Sequence, residues 1–237
     1  MDARHKSWNL QQQTLRQSLA AREDFPRANE VFLNQLAMVH AAGMSQMGSW
    51  SFEDEILDGL DEEQLRSIPG KCDHSIAWVV WHMTRIEDAT MNLLVAGIPQ
   101  VLMGEDWLER MEIPMRDTGN GMDATGVAAL SAAINVPVLL EYRQSVGRRT
   151  RAIVKNLQPE ELHHKVEPAR LVQMTAQGVV RAQAGELLEY WAGLSISGLL
   201  LMPATRHAFV HWNEAVRIKK NKMSRPAENR DSEWPRY

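Results

Sequence analysis

Apolar residues recur every three or four positions along most of this chain, which is the spacing of amphipathic helices. The pattern predicts an N-terminal helix over about 7–21 and four long helices over about 28–47, 74–97, 137–158 and 185–220. Asp73 and Pro137 suit the starts of two of these helices, Gly97 suits an end, and Pro203 predicts a kink. Four long helices with little strand signal predict an all-α fold, a helical bundle.

Shorter signals lie between the long helices. Ser51 and Asp61 each precede a short run of helix formers and can cap it, while Gly48 and Ser49 should end the helix before them. Only residues 165–182 have some of the character of a β-strand, so a strand is expected there.

The chain shows no low-complexity linker that would divide it into parts. We therefore expect a single domain over 1–221, in which 1–25 form an N-terminal helical extension. Residues 222–237 are polar and are expected to form a C-terminal tail.

The composition argues against several classes of protein. One cysteine among 237 residues allows neither a disulfide framework nor a cysteine-based zinc site within the chain. A formal charge of −4 and a pI near 6.1 argue against a nucleic-acid partner. No signal-peptide core is visible, and the apolar stretch 194–203 is shorter than the roughly 20 residues that span a bilayer. These features predict a cytoplasmic protein with no membrane partner.

The sharpest chemical pattern is the pair His207 and His211, because residues four apart lie on the same face of a helix. Leu200, Ala204 and Ile218 share that face, so both imidazoles should point inward. Buried imidazoles need polar partners, and one metal ion can satisfy two of them. The alternative is a pair of core-edge histidines bonded to carbonyl groups.

Glu214 lies one turn further along the same face. It could be another metal ligand, an acceptor for the N–H of a ligand, or a general base. The alternative is a surface carboxylate that pairs with Arg217 or Arg85. Ala208 follows His207 where the zinc peptidase motif has glutamate, so that motif and its base are absent.

A metal site would need a third ligand from another helix. His82 is the best placed, since it lies in the middle of the helix that contains WVVWHMTRIED. His40 is the best spare and could line the same cavity, together with Trp78 and Arg85. The remaining histidines are expected near an end, at a helix start or in a charged loop: His5, His74, His163 and His164.

Two segments, IAWVVWHMTRIED and PATRHAFVHWNEA, resemble the DinB superfamily, also called DinB/YfiT-like. The segments MSQMGSWSFEDEILDGL, DTGNGM, YRQSVGRRTRAIV and MPATRH are similar to a bacterial subgroup of it, so the resemblance covers most of the chain. It implies a four-helix bundle with additional short helices and long loops, and a homodimer. Carried over residue by residue, it implies a metal triad of His82, His207 and His211.

The resemblance also implies a range of activities. The superfamily includes thiol S-transferases, a thiol-dependent isomerase and iron-dependent sulfoxide synthases. Zn or Ni is the expected divalent metal, Fe is a further candidate, and a low-molecular-weight thiol is a candidate cofactor. In one common form of the family motif that contains His207 and His211, glutamine stands where this chain has Glu214.

These features predict a metal-dependent hydrolase- or transferase-type enzyme acting on an unknown small molecule. The alternative is a non-enzymatic helical bundle that binds a metal or ligand. A third reading is a homodimeric structural protein with a vestigial site.

Overall fold

The computed structural model describes residues 3–45 and 50–223, and their regular structure is helical, with no strand beyond an isolated bridge between Lys165 and Ser195. The long helices are α1 (Ala3–Ser18), α2 (Phe25–Val39), α3 (Ile76–Asp88), α4 (Val136–Asn156) and α5 (Ala208–Met223). A π-helical segment, Ala89–Ala96, continues α3, and Ile196–Leu201 with π-helical Met202–His207 leads into α5.

Short helices fill the intervals between the long ones. Their bounds are Arg22–Asp24, Ala42–Ser45, Phe52–Leu57, Glu62–Arg66, Val101–Met103, Trp107–Arg110, Ala124–Ala133, Pro159–His163, Pro168–Ala176, Ala182–Ala184 and Glu186–Ala192. Within the described ranges no single helix has the length and apolar composition to cross a membrane; Ala124–Ala133 and Val136–Asn156 pass only as a pair bent by 98°.

The predicted all-α fold is confirmed, and the arrangement of α2 to α5 is compatible with the predicted four-helix bundle. The Ser51 side chain caps its short helix by accepting from the N–H of Asp54 at 3.0 Å, and Asp61 forms a capping box with Gln64. Gly97 ends the π-helical segment in the left-handed region, with φ of 65°.

Three local predictions need correction. Residues 165–182 form no strand, since Pro168 starts the amphipathic helix Pro168–Ala176. Ser75, not Asp73, caps α3, because its Oγ accepts from the N–H of Trp78 at 2.9 Å. α2 ends at Val39, well before 47, and the expected stop at Gly48 and Ser49 lies outside the described residues.

The N-terminal helix α1 is part of the core. Trp8 and Leu15 are buried, and the Trp8 ring stacks on Phe209 of α5 with centroids 4.5 Å apart. The apolar face of α1 therefore packs against both α2 and the last helix. The predicted limits of the domain and of its N-terminal extension stay predictions.

The central element is α3, all thirteen residues of which are buried. It packs against α4 and α5. Its charged side chains therefore need internal partners. Arg85 donates to Asp88 at 3.0 Å, to the Tyr142 hydroxyl at 2.8 Å and to the side-chain amide oxygen of Gln100 at 2.7 Å.

A second buried polar group joins α2, α4 and α5. Arg143 donates to Glu53 at 2.6 Å and to the Val39 carbonyl at 2.6 Å. Trp212 donates to the same carbonyl at 2.8 Å. The free carbonyl at the end of α2 thus fixes both α4 and the helix that contains the histidine pair.

Replacing Arg143 by Met would leave the Glu53 carboxylate buried without its cation. We expect the free energy of unfolding to fall by about 3–5 kcal/mol, as measured by urea denaturation. The control is Arg148→Met, an exposed position on the same helix, which should change stability by less than about 0.5 kcal/mol. Equal and small losses in both variants would show that the buried pair does not stabilise the fold.

Candidate metal centre

The structure brings His82 of α3 together with His207 and His211 at the start of α5. One ring nitrogen from each residue lies within 4.8 Å of the other two, so the group could hold a metal ion. The ring centroids of His207 and His211 are 4.5 Å apart, and those of His82 and His211 are 4.7 Å apart. The three residues predicted as ligands therefore share one place in the fold.

The segment before α5 sets the direction of the histidine pair. Pro203 lacks a backbone N–H, and the chain widens into a π-helix over Met202–His207. The Thr205 hydroxyl donates to the Leu200 carbonyl at 3.1 Å, which satisfies one group that regular helical bonding leaves free. Regular α-helix resumes at Ala208 and places His207 and His211 on one face.

The ring of His82 is fixed by a loop. Its Nδ1–H donates to the Thr118 carbonyl at 2.5 Å, which leaves Nε2 as the nitrogen with a free lone pair. Thr118 is itself anchored, because its N–H donates to the Val179 carbonyl at 2.9 Å. Gly119 follows with φ of 82°, and a Cβ there would lie 2.6 Å from the Trp81 ring.

Glu214 holds the ring of His211. The Nδ1 of His211 donates to one carboxylate oxygen at 2.8 Å, and the Nδ1 of His74 donates to the other at 2.7 Å. Burial raises the pKa of Glu214, but the hydrogen bonds from His211 and His74 outweigh it and lower this pKa to about 2. Glu214 is therefore ionised at neutral pH and uses both oxygens as acceptors.

Trp78 links two of the histidines through its ring faces. Its ring stacks on His74 with centroids 3.8 Å apart and on His82 with centroids 4.8 Å apart. Both interplanar angles are small, 5° and 11° respectively. The predicted pocket residue Trp78 thus packs directly against one member of the triad.

The electrostatics of the cluster keep the rings of His82 and His207 neutral. Burial and the neighbouring His211 lower the pKa of His82 from 6.5 to about 3. Burial and the other two histidines lower the pKa of His207 well below its usual value. Neutral imidazole is the form that binds metal, so the cluster is ready for a cation at neutral pH.

An unpartnered atom gives a test of fit. The Nδ1 of His207 is buried and has no hydrogen-bond partner among the described residues. Three neutral imidazoles from two elements also match the ligands that first-row divalent metals prefer. The residues therefore fit a divalent metal, and such a set leaves at least one coordination position open.

Two other predicted pocket residues lie in buried networks. The Nε2–H of His40 donates to the Glu87 carboxylate at 2.8 Å in the core. Burial raises the pKa of Glu87, but the interaction with His40 outweighs burial and this pKa falls. Arg85 belongs to the Asp88 and Tyr142 network. A pocket role for either residue stays a prediction.

Sequence reasoning missed two contributors to the site. His74 was expected to be peripheral, yet positions 74, 78 and 82 are each four apart, a spacing that could have placed its ring beside Trp78. The other contributor is the Thr118 carbonyl. A backbone carbonyl has no sequence signal, because every residue carries one and the residue type does not show which carbonyl will be used.

Replacing Gly119 by Ala should destabilise the protein because the added methyl group meets the Trp81 ring. The matched control is Gly178→Ala, where φ is 66° but nothing lies within 4 Å of the added atom. We expect the control to cost about 1–2 kcal/mol from backbone strain alone. Gly119→Ala should cost roughly 1–3 kcal/mol more in urea denaturation; equal losses would contradict the close packing of this loop.

Comparison with known proteins connects this geometry to a family. A family model described as the DinB superfamily matches residues 50–189. The match includes His82, whereas His207 and His211 lie beyond its C-terminal end. A search of the curated proteins found no match. Since the matched segment covers more than half of the 237 residues, the chain belongs to the DinB superfamily.

Proposed function

We propose that this chain is a metal-dependent enzyme of hydrolase or transferase type that acts on a small molecule. His82, His207 and His211 would hold the divalent metal. The observation that carries the proposal is the approach of their three ring nitrogens to within 4.8 Å of one another. Zn or Ni suits an all-imidazole set best, and Fe is a further candidate.

The number of ligands favours catalysis over a purely structural role. Glu214 accepts from the Nδ1 of His211 and is thereby an outer partner of the triad. His40 is bonded to Glu87 in the core, away from this role. Neither residue closes the set at four ligands, and an open position is typical of catalytic metal sites.

A metal held there supplies Lewis acidity to whichever substrate or thiol atom occupies the open position. The protein's own groups do the rest. The Thr118 carbonyl and Glu214 each accept the N–H of one ligand ring, which fixes both rings and their tautomers. We propose orientation of His211 as the role of Glu214, because a carboxylate with a pKa of about 2 is a weak general base.

A cleft beside the triad offers room for a substrate. It has a volume of about 260 Å³ and lies between the 71–73 segment and the α5 residues Glu214, Arg217, Ile218 and Asn221. Glu214 is both a wall of this cleft and the partner of His211, and it is the residue that connects the cleft to the proposed metal site, since none of the three histidines lines the cleft. Its size suits a small molecule or part of one. A homodimer and a cytoplasmic location stay predictions.

Elemental analysis tests the metal site directly. Protein purified without chelator should contain close to one equivalent of divalent metal per chain, and the double variant His207→Ala/His211→Ala should lose it. The matched control is His163→Ala/His164→Ala, which removes two exposed histidines and should keep the metal. Unchanged metal content in the His207 and His211 variant would overturn the proposed site.

A thermal-shift series then addresses the class of reaction. A ligand that binds the folded protein raises its melting temperature. Stabilisation by a low-molecular-weight thiol in the metal-loaded protein, and not after chelation, supports the transferase branch. A large loss of stability on chelation with no response to any small molecule supports the non-enzymatic alternative.

A further inference from the structure

Glu214 is held from two sides, and only one side belongs to the proposed triad. His211 donates to one carboxylate oxygen and His74 to the other, at 2.8 Å and 2.7 Å. We propose that His74 is a positioning residue of the metal site, which fixes Glu214 so that Glu214 in turn fixes His211. This inference rests on the proposed function, since it concerns how tightly the same site holds a metal.

The ring of His74 is itself held in place. His74 is the residue before the N-cap of α3, and its ring stacks on Trp78 with centroids 3.8 Å apart and an interplanar angle of 5°. Its side chain is only 27% exposed. The donor that reaches Glu214 is therefore preorganised by the start of the same helix that contains His82.

A carboxylate on a helix surface can rotate when a single hydrogen bond holds it. The Glu214 side chain is 21% exposed and faces the cleft, so water competes for its oxygens. The bond from His74 occupies the second oxygen and limits that rotation. The acceptor for Nδ1–H of His211 then stays in place, and Nε2 keeps the lone pair that a metal needs.

His74 also reaches the triad by a second route, through the stack of His74, Trp78 and His82. Two substitutions separate the routes. His74→Asn keeps an amide N–H close to the position of Nδ1 and removes the ring. His74→Phe keeps an aromatic ring over Trp78 and removes the N–H. The inference assigns the effect on metal binding to the hydrogen bond, not to the stack.

The experiment measures metal affinity of the full chain by competition with a chelator for Zn²⁺, and thermal unfolding of the chelator-treated protein. Changes in the outer partners of metal ligands weaken binding by about 10–100-fold, and His74 acts one bond further out, so we expect roughly a tenfold loss in His74→Phe. His74→Asn should bind nearly as tightly as the wild type. The metal-free His74→Phe chain should stay folded and unfold in a single cooperative transition, although the lost hydrogen bond to Glu214 lowers its melting temperature.

A double-mutant cycle tests whether the effect passes through Glu214. In a Glu214→Ala background, His74→Phe should cause no further loss of Zn²⁺ affinity, because the carboxylate through which His74 acts on His211 is absent. A further loss there, or wild-type affinity in His74→Phe alone, would overturn the inference.

Two more outcomes decide against a positioning role. If His74→Asn loses as much affinity as His74→Phe, or if the metal-free form of His74→Phe no longer folds, His74 acts through packing. If the wild-type chain itself binds no Zn²⁺, the proposed function fails and this inference fails with it. If the wild type and His74→Phe bind Zn²⁺ equally well, this inference is wrong and the proposed function stands.

Discussion

The constraint on which the fold depends is the complete burial of α3, a helix that contains charged groups as well as apolar ones. A buried charge without a partner is costly, so the charged side chains of α3 need polar partners, several of which come from other elements. Arg85 finds Tyr142 of α4, and Glu87 finds His40 at the end of α2. Thr84 accepts from Arg143, which also binds the last carbonyl of α2. These bonds fix how the helices sit around α3.

His82 is also a buried polar residue of α3 that needs partners, but it finds them in a loop and in other histidines. Its Nδ1–H is satisfied by the Thr118 carbonyl of a loop, while its other nitrogen faces a cluster of histidines. Desolvation lowers the pKa of His82 and of His207, so these two rings are neutral at neutral pH. Among the described residues, the proposed metal site is where the core brings the ring nitrogens of three histidines close to one another. A divalent cation bound there would compensate for their burial, as the salt bridges do for the charges elsewhere.

The outer partners of the cluster come from parts of the chain that are far apart. Thr118 belongs to a loop that depends on a left-handed glycine, and Glu214 belongs to α5. His74 precedes α3 and donates to Glu214. Rings that are held by hydrogen bonds at Nδ1 and by a stacked Trp78 have little freedom, which is what a site with defined coordination geometry needs. The rigidity of the site therefore comes from its surroundings.

The sequence by itself determined the helical class, several helix ends and the identity of the triad. Periodic apolar residues, capping side chains and the four-residue spacing of His207 and His211 are local signals. The position of His82 in the middle of its helix made it the best third ligand, and the resemblance implied the same residue. The helix Pro168–Ala176, the early end of α2 and the cap at Ser75 were decided by packing and by competing hydrogen-bond donors. Only the tertiary structure could place His74 on Glu214 and the Thr118 carbonyl on His82. Those contacts join residues 140 and 36 positions apart, and no local pattern encodes a hydrogen bond over such distances along the chain.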